Sequence, residues 1–261
     1  MSQKRQSAIF DRIGHSGIAV AARIQDYRPG HTVPLHFHER DQLVYATRGV
    51  MTVRSADGTW VVPPHRGVWI PANTPHTINM SGVVAMRTLY LRPRIARRLP
   101  RTCCVVNVSP LLKELILHAC TLKSLATRNK RECHVIESIL DQLEAIQTIP
   151  LQLPHVSDAR ASRVAQRLLG DPGNTQTLAK LCKGTGASKR TVERLFQQET
   201  GMTFGKWRQQ LRLMQAMRLL ADGAKVTHAA LEAGYSTPSA FIAMFRKSLG
   251  TTPTAYFRSG E

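Results

Sequence analysis

Two groups of residues carry side chains that can do chemistry. The first is Gly30-x5-His36-x-His38-x3-Gln42-x6-Gly49, followed by Gly67-x3-Pro71-x-Asn73-x2-His76. On a strand, His36 and His38 lie two apart and point to one face. His76 from another strand could complete a facial set of imidazole donors, suited to zinc, iron, nickel or copper; the plainer alternative is a set of core histidines. The second group is Ser188-Lys189-Arg190-Thr191-Val192-Glu193-Arg194-Leu195-Phe196-Gln197. At helical spacing Val192, Leu195 and Phe196 take the core, while Arg190, Glu193, Arg194 and Gln197 share the opposite face. Arginine fits guanine O6/N7 bidentately and glutamate accepts from cytosine N4. Ser188 can cap the helix and reach a phosphate. Alone, such a face is better explained by solvation, so its surroundings decide.

The elements that position the histidines read as strands. Gly17–Ala22, Gln42–Ala46, Val50–Arg54, Thr59–Val62, Gly67–Ile70 and Val83–Leu91 are short β-branched or aromatic pieces. Turn residues separate them (Arg28-Pro29-Gly30, Asp57-Gly58, Pro63-Pro64, Pro71-Ala72-Asn73), a spacing that predicts a sandwich or barrel. After Pro100 the period becomes helical. Leu111, Leu112, Leu115, Ile116, Ala119 and Leu122 form one stripe, and Val135, Ile136, Ile139, Leu140, Leu143 and Ile146 another, joined through Thr127–Arg131. This hairpin either dimerises the chain or caps the β region. Pro150-Leu-Gln-Leu-Pro154 reads as an extended linker.

From Ser157 every piece is helical: a stripe on Val164, Ala165, Leu168 and Leu169 stopped by Gly170 and Pro172, then Thr177–Lys183, Lys189–Gln198, Thr203–Gly223, Val226–Ala233 and Pro238–Ser248. Leu178…Gly186 and Val226…Gly234 share a spacing of eight, and Phe196-x4-Gly201 matches Phe245-x4-Gly250. Each copy is helix, glycine turn, helix: two helix-turn-helix units. The long helix between them, about 20 residues and roughly 30 Å, is close to one turn of B-DNA, so it could set two recognition helices into successive major grooves.

Charge points the same way. The chain holds 36 Lys+Arg against 17 Asp+Glu, a net +19, with 43% hydrophobic residues. A folded chain this basic calls for an acidic partner, and the repeat favours nucleic acid. Residues 156–261 carry 16 basic and 7 acidic side chains, net +9. No apolar run nears the ~18 residues of a spanning helix and Met1–Ile9 has no signal-peptide core, so a cytoplasmic chain with no membrane partner is expected. Five cysteines (Cys103, Cys104, Cys120, Cys133, Cys182) without CxxC spacing read as reduced, mostly buried thiols.

Residues 176–258 resemble the AraC/XylS family of transcription regulators. The resemblance rests on Ser188–Phe196, Glu199-Thr-Gly-Met-Thr-Phe204, Trp207-Arg-Gln-Gln-Leu211, Ala233-Gly-Tyr235, Ser239-Ala-Phe241, Phe245-Arg246, Leu249-Gly-Thr-Thr-Pro253 and Tyr256-Phe257. It implies base contacts from Arg190, Glu193 and Arg194, flanked by Ser188, Lys189 and Gln197. In the second unit the equivalent positions are Pro238, Ser239, Ala240 and Ala243, which cannot bond a base bidentately. A thymine-methyl contact from Ala240 and phosphate contacts from Ser236, Thr237, Ser239 and Arg246 remain. The histidine segments resemble the two cupin motifs, whose matching residues here, His36, His38, Gln42 and His76, converge inside a small barrel. That family has glutamate at Gln42, and the second motif has glycine where this chain has Asn73.

Together the resemblances imply an α+β chain with a cupin-like β-barrel of jelly-roll type over 1–100, a helical hairpin over 101–155, and a double helix-turn-helix domain over 156–261. The implied function is sequence-specific transcriptional regulation, as activator or repressor, in response to a small-molecule effector bound in the barrel. A neighbouring transporter or efflux gene is the expected target. The partners are duplex DNA, the effector, RNA polymerase and a second copy of the chain in a homodimer. For the histidine site two versions stay open, a weakly held divalent metal and a metal-free effector pocket. The rival from another class is a cupin metalloenzyme, a dioxygenase or isomerase, fused to a DNA-binding module; otherwise no catalysis is expected.

Overall fold

The computed structural model describes residues 17–144 and 151–258. These fall into two compact units, 17–55 with 60–144, and 151–258 with residues 56–59, which hold a turn and the start of a strand. The first unit begins with eight strands: β1 (Ile18–Tyr27), β2 (Thr32–His36), β3 (Asp41–Ala46), β4 (Val50–Ser55), β5 (Gly58–Val62), β6 (Arg66–Ile70), β7 (His76–Ser81) and β8 (Val84–Leu91). Then come β9 (Cys104–Asn107), helix α1 (Pro110–Leu122), β10 (Ser124–Ala126) and helix α2 (Lys130–Glu144). One antiparallel sheet runs β10-β1-β8-β3-β6-β9, and a second runs β5-β4-β7-β2 within this unit.

Strand alternation gives the larger sheet two different faces. Val20, Leu43, Tyr45, Trp69, Leu89, Leu91 and Val106 share one core with Leu112, Ile116, Ala119, Ile136, Ile139 and Leu143. So α1 and α2 lay most of their apolar stripes on this sheet, while Leu111 and Leu122 of the first stripe stay exposed. Ile146 and Pro150 lie outside the described residues. The other face is set by register: Gln42 pairs Tyr90, which pairs Ala21, and Val44 pairs Thr88, which pairs Arg23. β3 is central and buried along its whole length.

Every strand expected from sequence is present. Among the described residues five further strands, β2, β7, β9, β10 and, in the second unit, β11 (Gln152–Pro154), lie outside the pieces read from the sequence. β2 and β7 hold His36 and His76, the strand placement that the metal reading supposed for them. β2 is an edge strand of its sheet with Pro34 inside it, where a missing N–H costs no ladder bond. Its pairing with β7 is irregular between Val33 and His36. The strand ends at His36, so His38 sits in the following loop; the same-face argument for the two does not apply, and a loop does the placing. Asn73, at the position of a family glycine, has φ +61°, a left-handed conformation that asparagine tolerates better than most residues.

The second unit holds β11 (Gln152–Pro154), α3 (Ala159–Gly170), α4 (Leu178–Leu181), α5 (Lys189–Thr200), α6 (Phe204–Ala221), α7 (Val226–Glu232), α8 (Pro238–Leu249) and α9 (Pro253–Arg258). Part of the expected linker is thus strand. The connecting helix α6 has 18 residues, about 27 Å rather than 30. It buries Phe204, Trp207, Leu211, Met214 and Met217. Phe196 packs edge-on against Phe204 and Trp207, with ring centroids 5.3 and 5.2 Å away. In the second copy Phe241, Phe245 and Tyr256 form the matching cluster. No helix among the described residues is long and apolar enough to cross a membrane.

Candidate functional site

His36, His38 and His76 come together. One ring nitrogen from each lies within 4.8 Å of the other two. Each Nδ1 is committed to a backbone carbonyl: His36 to Pro34 at 2.8 Å, His38 to Arg40 at 2.6 Å, His76 to Thr74 at 2.8 Å. A carbonyl only accepts, so each Nδ1 carries the proton and each Nε2 keeps its lone pair. His76 Nε2 is buried with no hydrogen-bond partner. Burial holds all three imidazoles below the ordinary histidine value and takes His76 down to about 3, which keeps them neutral.

Gln42 completes the cluster. Thr88 Oγ donates to the Leu43 carbonyl at 2.9 Å, so it accepts from Gln42 Nε2 at 3.1 Å. That turns Gln42 Oε1 onto His38 Nε2 at 2.8 Å. An imidazole nitrogen and an amide oxygen thus lie side by side in a buried site, where a cation would find both as donors. Histidines that donate their far nitrogen to a backbone carbonyl also match the usual outer shell of imidazole metal ligands. The donor set fits a divalent metal, with an amide oxygen in place of an anionic carboxylate.

In the second unit the expected helix is in place. Ser188 caps α5, its Oγ accepting from Thr191 N at 3.2 Å. Val192, Leu195 and Phe196 are buried, and Ser188, Lys189, Arg190, Glu193, Arg194 and Gln197 are all exposed. Local bonds restrain this face: Lys189 Nζ lies 3.7 Å from Glu193, and Arg194 donates to Gln198 at 3.2 Å. On α8, Thr237 is the cap and accepts from Ala240 N at 3.2 Å. Ser236, Thr237, Ser239, Ala240, Ala243 and Arg246 are exposed. Ser239, Ile242, Ala243, Arg246, Lys247 and Thr252 line a shallow depression of about 590 Å3.

Sequence reasoning missed the side chains that hold these helices in place. Arg208 donates to the carbonyls of Asn174 and Gln176, and Arg212 to Asn174 at 2.8 Å, tying α6 to the chain just before α4. Arg167 donates to Leu181 O at 2.6 Å and Lys183 O at 3.0 Å, closing the end of α4. Glu199 accepts from the backbone N–H groups of Ser157 and Asp158 at 2.5 and 3.2 Å. The signal was there: Arg208 and Arg212 are four apart on a helix with few other charges.

Comparison with known proteins finds two family matches whose spans overlap. The chain matches the AraC-like ligand binding domain over residues 19–204 and a helix-turn-helix domain over 181–259. The HTH-type transcriptional regulator NimR of Escherichia coli (strain K12) is 34% identical over 245 residues, 93% of this chain and 88% of its own. The HTH-type transcriptional activator RhaR of Mannheimia succiniciproducens is 23% identical over 249 residues, 85% of this chain and 86% of its own. The solved DNA-binding domain of AdpA, in complex with a target DNA, is 31% identical, covers 40% of this chain and 93% of that chain, and has a TM-score of 0.37. The chain belongs to the AraC family: it is a transcriptional regulator with an AraC-like ligand-binding domain and a helix-turn-helix DNA-binding domain.

Proposed function

We propose that base reading in this regulator rests on α5, through Arg190, Glu193 and Arg194 with Lys189 and Gln197 beside them, while Ser188 takes a phosphate. On α8, Ser236, Thr237, Ser239 and Arg246 hold phosphates and Ala240 meets a thymine methyl. The observation that carries this is a capped helix whose whole exposed face is charged or amide. Operator binding by the full chain at several salt concentrations tests it. With ~5 phosphates neutralised, log K should fall with log salt at a slope of about −4 to −5; a flat salt response would defeat the reading.

The effector site in this proposal is the space around His36, His38, Gln42 and His76, where a divalent ion would be held by three imidazoles and an amide oxygen. Such an ion would supply a Lewis-acid anchor for an effector oxygen; the chain's own part is to orient the donors through Pro34, Arg40 and Thr74. Calorimetric titration of the full chain with Zn2+ or Ni2+ should show binding that His76→Ala weakens at least tenfold. Gln42→Glu should tighten it, because a carboxylate brings the charge the amide lacks. The chain is read as a non-enzyme because its relatives are regulators. It is read as a homodimer through the outer face of α1, where Leu111 and Leu122 stay 58% and 44% exposed. Leu111→Glu with Leu122→Glu should then sediment as a monomer.

A further inference from the structure

The inward face of the larger sheet carries a charge that no carboxylate among the described residues neutralises. Register places Arg23 opposite Thr88, and Thr88 in turn beside Val44, on the face that bears Gln42 and Tyr90. The opposite face is taken by α1 and α2, so Arg23 looks the same way as the histidine cluster. Tyr90 joins the two: its ring lies edge-on to His38 with centroids 5.2 Å apart, and the Arg23 guanidinium hydrogen-bonds its phenol. Arg23 is half-buried, and among the described residues no carboxylate forms an ion pair with it. Two residues along, about 7 Å at strand rise, Gln25 has a buried Oε1 with no hydrogen-bond partner. The neighbouring arginine Arg87 faces the other way and is matched by Asp26 at 2.9 Å.

Charged groups in a partly dry site are normally paired. Among the described residues Arg23 has no ion-pair partner, while Arg87 on the same two strands has one. A guanidinium fork with a phenol beside it is the geometry that receives a planar carboxylate. A phosphate dianion would call for more than the one cation, Arg23, on the inward face of β1 and β8. We propose that the effector of this regulator is an organic carboxylate, its anionic end seated on Arg23 and Tyr90 and its other end reaching toward the histidine cluster. This rests on the reading of that space as the effector site. Gln25 Oε1 would accept from a hydroxyl or amine on such a molecule.

The test uses the full chain and three matched pairs of probes: butyrate and butyramide, hexanoate and hexanamide, benzoate and benzamide. Binding is followed by calorimetry and by the shift in melting temperature. At least one carboxylate should bind saturably and its amide at least tenfold more weakly. Arg23→Gln should erase that preference, and Arg23→Lys, which keeps the charge without the fork, should retain it at reduced affinity; Arg23→Lys also serves if the Gln variant does not fold. Failure of all three carboxylates to saturate, amides that bind equally, or a preference that survives Arg23→Gln would overturn the proposal. If His36→Ala abolishes binding and Arg23→Gln does not, the effector site stands and the carboxylate assignment falls. A carboxylate held through Arg23 that leaves a reporter under the operator unchanged does the reverse.

Discussion

Helices α5 and α8 are each twelve residues long, each start on a hydroxyl cap and each end on a left-handed glycine, Gly201 at φ +69° and Gly250 at φ +82°. Each buries a phenylalanine completely at the same place, Phe196 and Phe245. Their exposed faces share nothing: Arg190, Glu193, Arg194 and Gln197 on one, Ser239, Ala240 and Ala243 on the other, with cations only later at Arg246 and Lys247. The buried face is fixed by what it must pack against, so duplicated units keep it. The exposed face answers only to its partner and is free to diverge. On the proposed reading, one scaffold thus serves a helix that discriminates bases by hydrogen bonds and a helix that mainly holds phosphates.

The scaffold claim is the one to break first, since the effects are largest. Phe196→Ala and Phe245→Ala should each cost about 3–5 kcal/mol in denaturant unfolding. Near-equal losses mean the two cores are equivalent. A loss under about 1 kcal/mol for Phe245→Ala would mean the second unit is loosely packed, and the comparison would fail at its base.

The exposed faces come next. Arg194→Ala should weaken operator binding by about 1–3 kcal/mol and relax base preference in one half-site. Competition between the operator and single-base variants measures both. An unchanged preference would show that α5, too, only holds on.

How much of this was legible in the sequence differs between the two regions, for a physical reason. Helical caps, stripes and terminal glycines are local, so Ser188, Thr203 and the paired Phe-x4-Gly endings could be read directly. The first unit is built from long-range pairing. β2 contains Pro34, and β7 (HTINMS) offers only Ile78 and Met80 as large apolar residues and none that is aromatic, yet their register sets His36 opposite His76. His38 was rightly grouped with them but for the wrong reason, because a loop rather than strand alternation places it. Arg23 was invisible: its inward direction depends on which face of β1 the helices α1 and α2 cover. The same dependence hid the partner of the hairpin, since stripes such as Leu112–Ile116 do not say which sheet they will meet.

The copies also differ at their first helices, and this predicts a gain. Thr177 caps α4 through its hydroxyl, whereas Lys225 stands at the cap of α7 with no side-chain bond. Backbone angles at the two are alike, φ −67° ψ 154° against φ −62° ψ 147°, so a capping side chain would fit without strain. Lys225 also puts a cation at the positive end of the helix. Lys225→Thr should therefore stabilise the protein by about 0.5–1 kcal/mol, seen as a higher melting temperature. No gain would mean that the two first helices are not equivalent.

The smallest expected effect is the most informative about α8. Ser239 is exposed at the second position of the helix, where a hydroxyl can reach a phosphate but is too short to pair with a base edge on two bonds. Losing one neutral phosphate contact that water can replace should cost roughly 0.5 kcal/mol, within the usual net value of a hydrogen bond. The loss should be the same on the operator and on every single-base variant, because a phosphate carries no sequence. The salt slope should not change either, since serine neutralises no charge, whereas Arg246→Ala should reduce it by about one. Should Ser239→Ala instead weaken the operator selectively, α8 would be reading bases after all, and the two exposed faces would differ in chemistry but not in task.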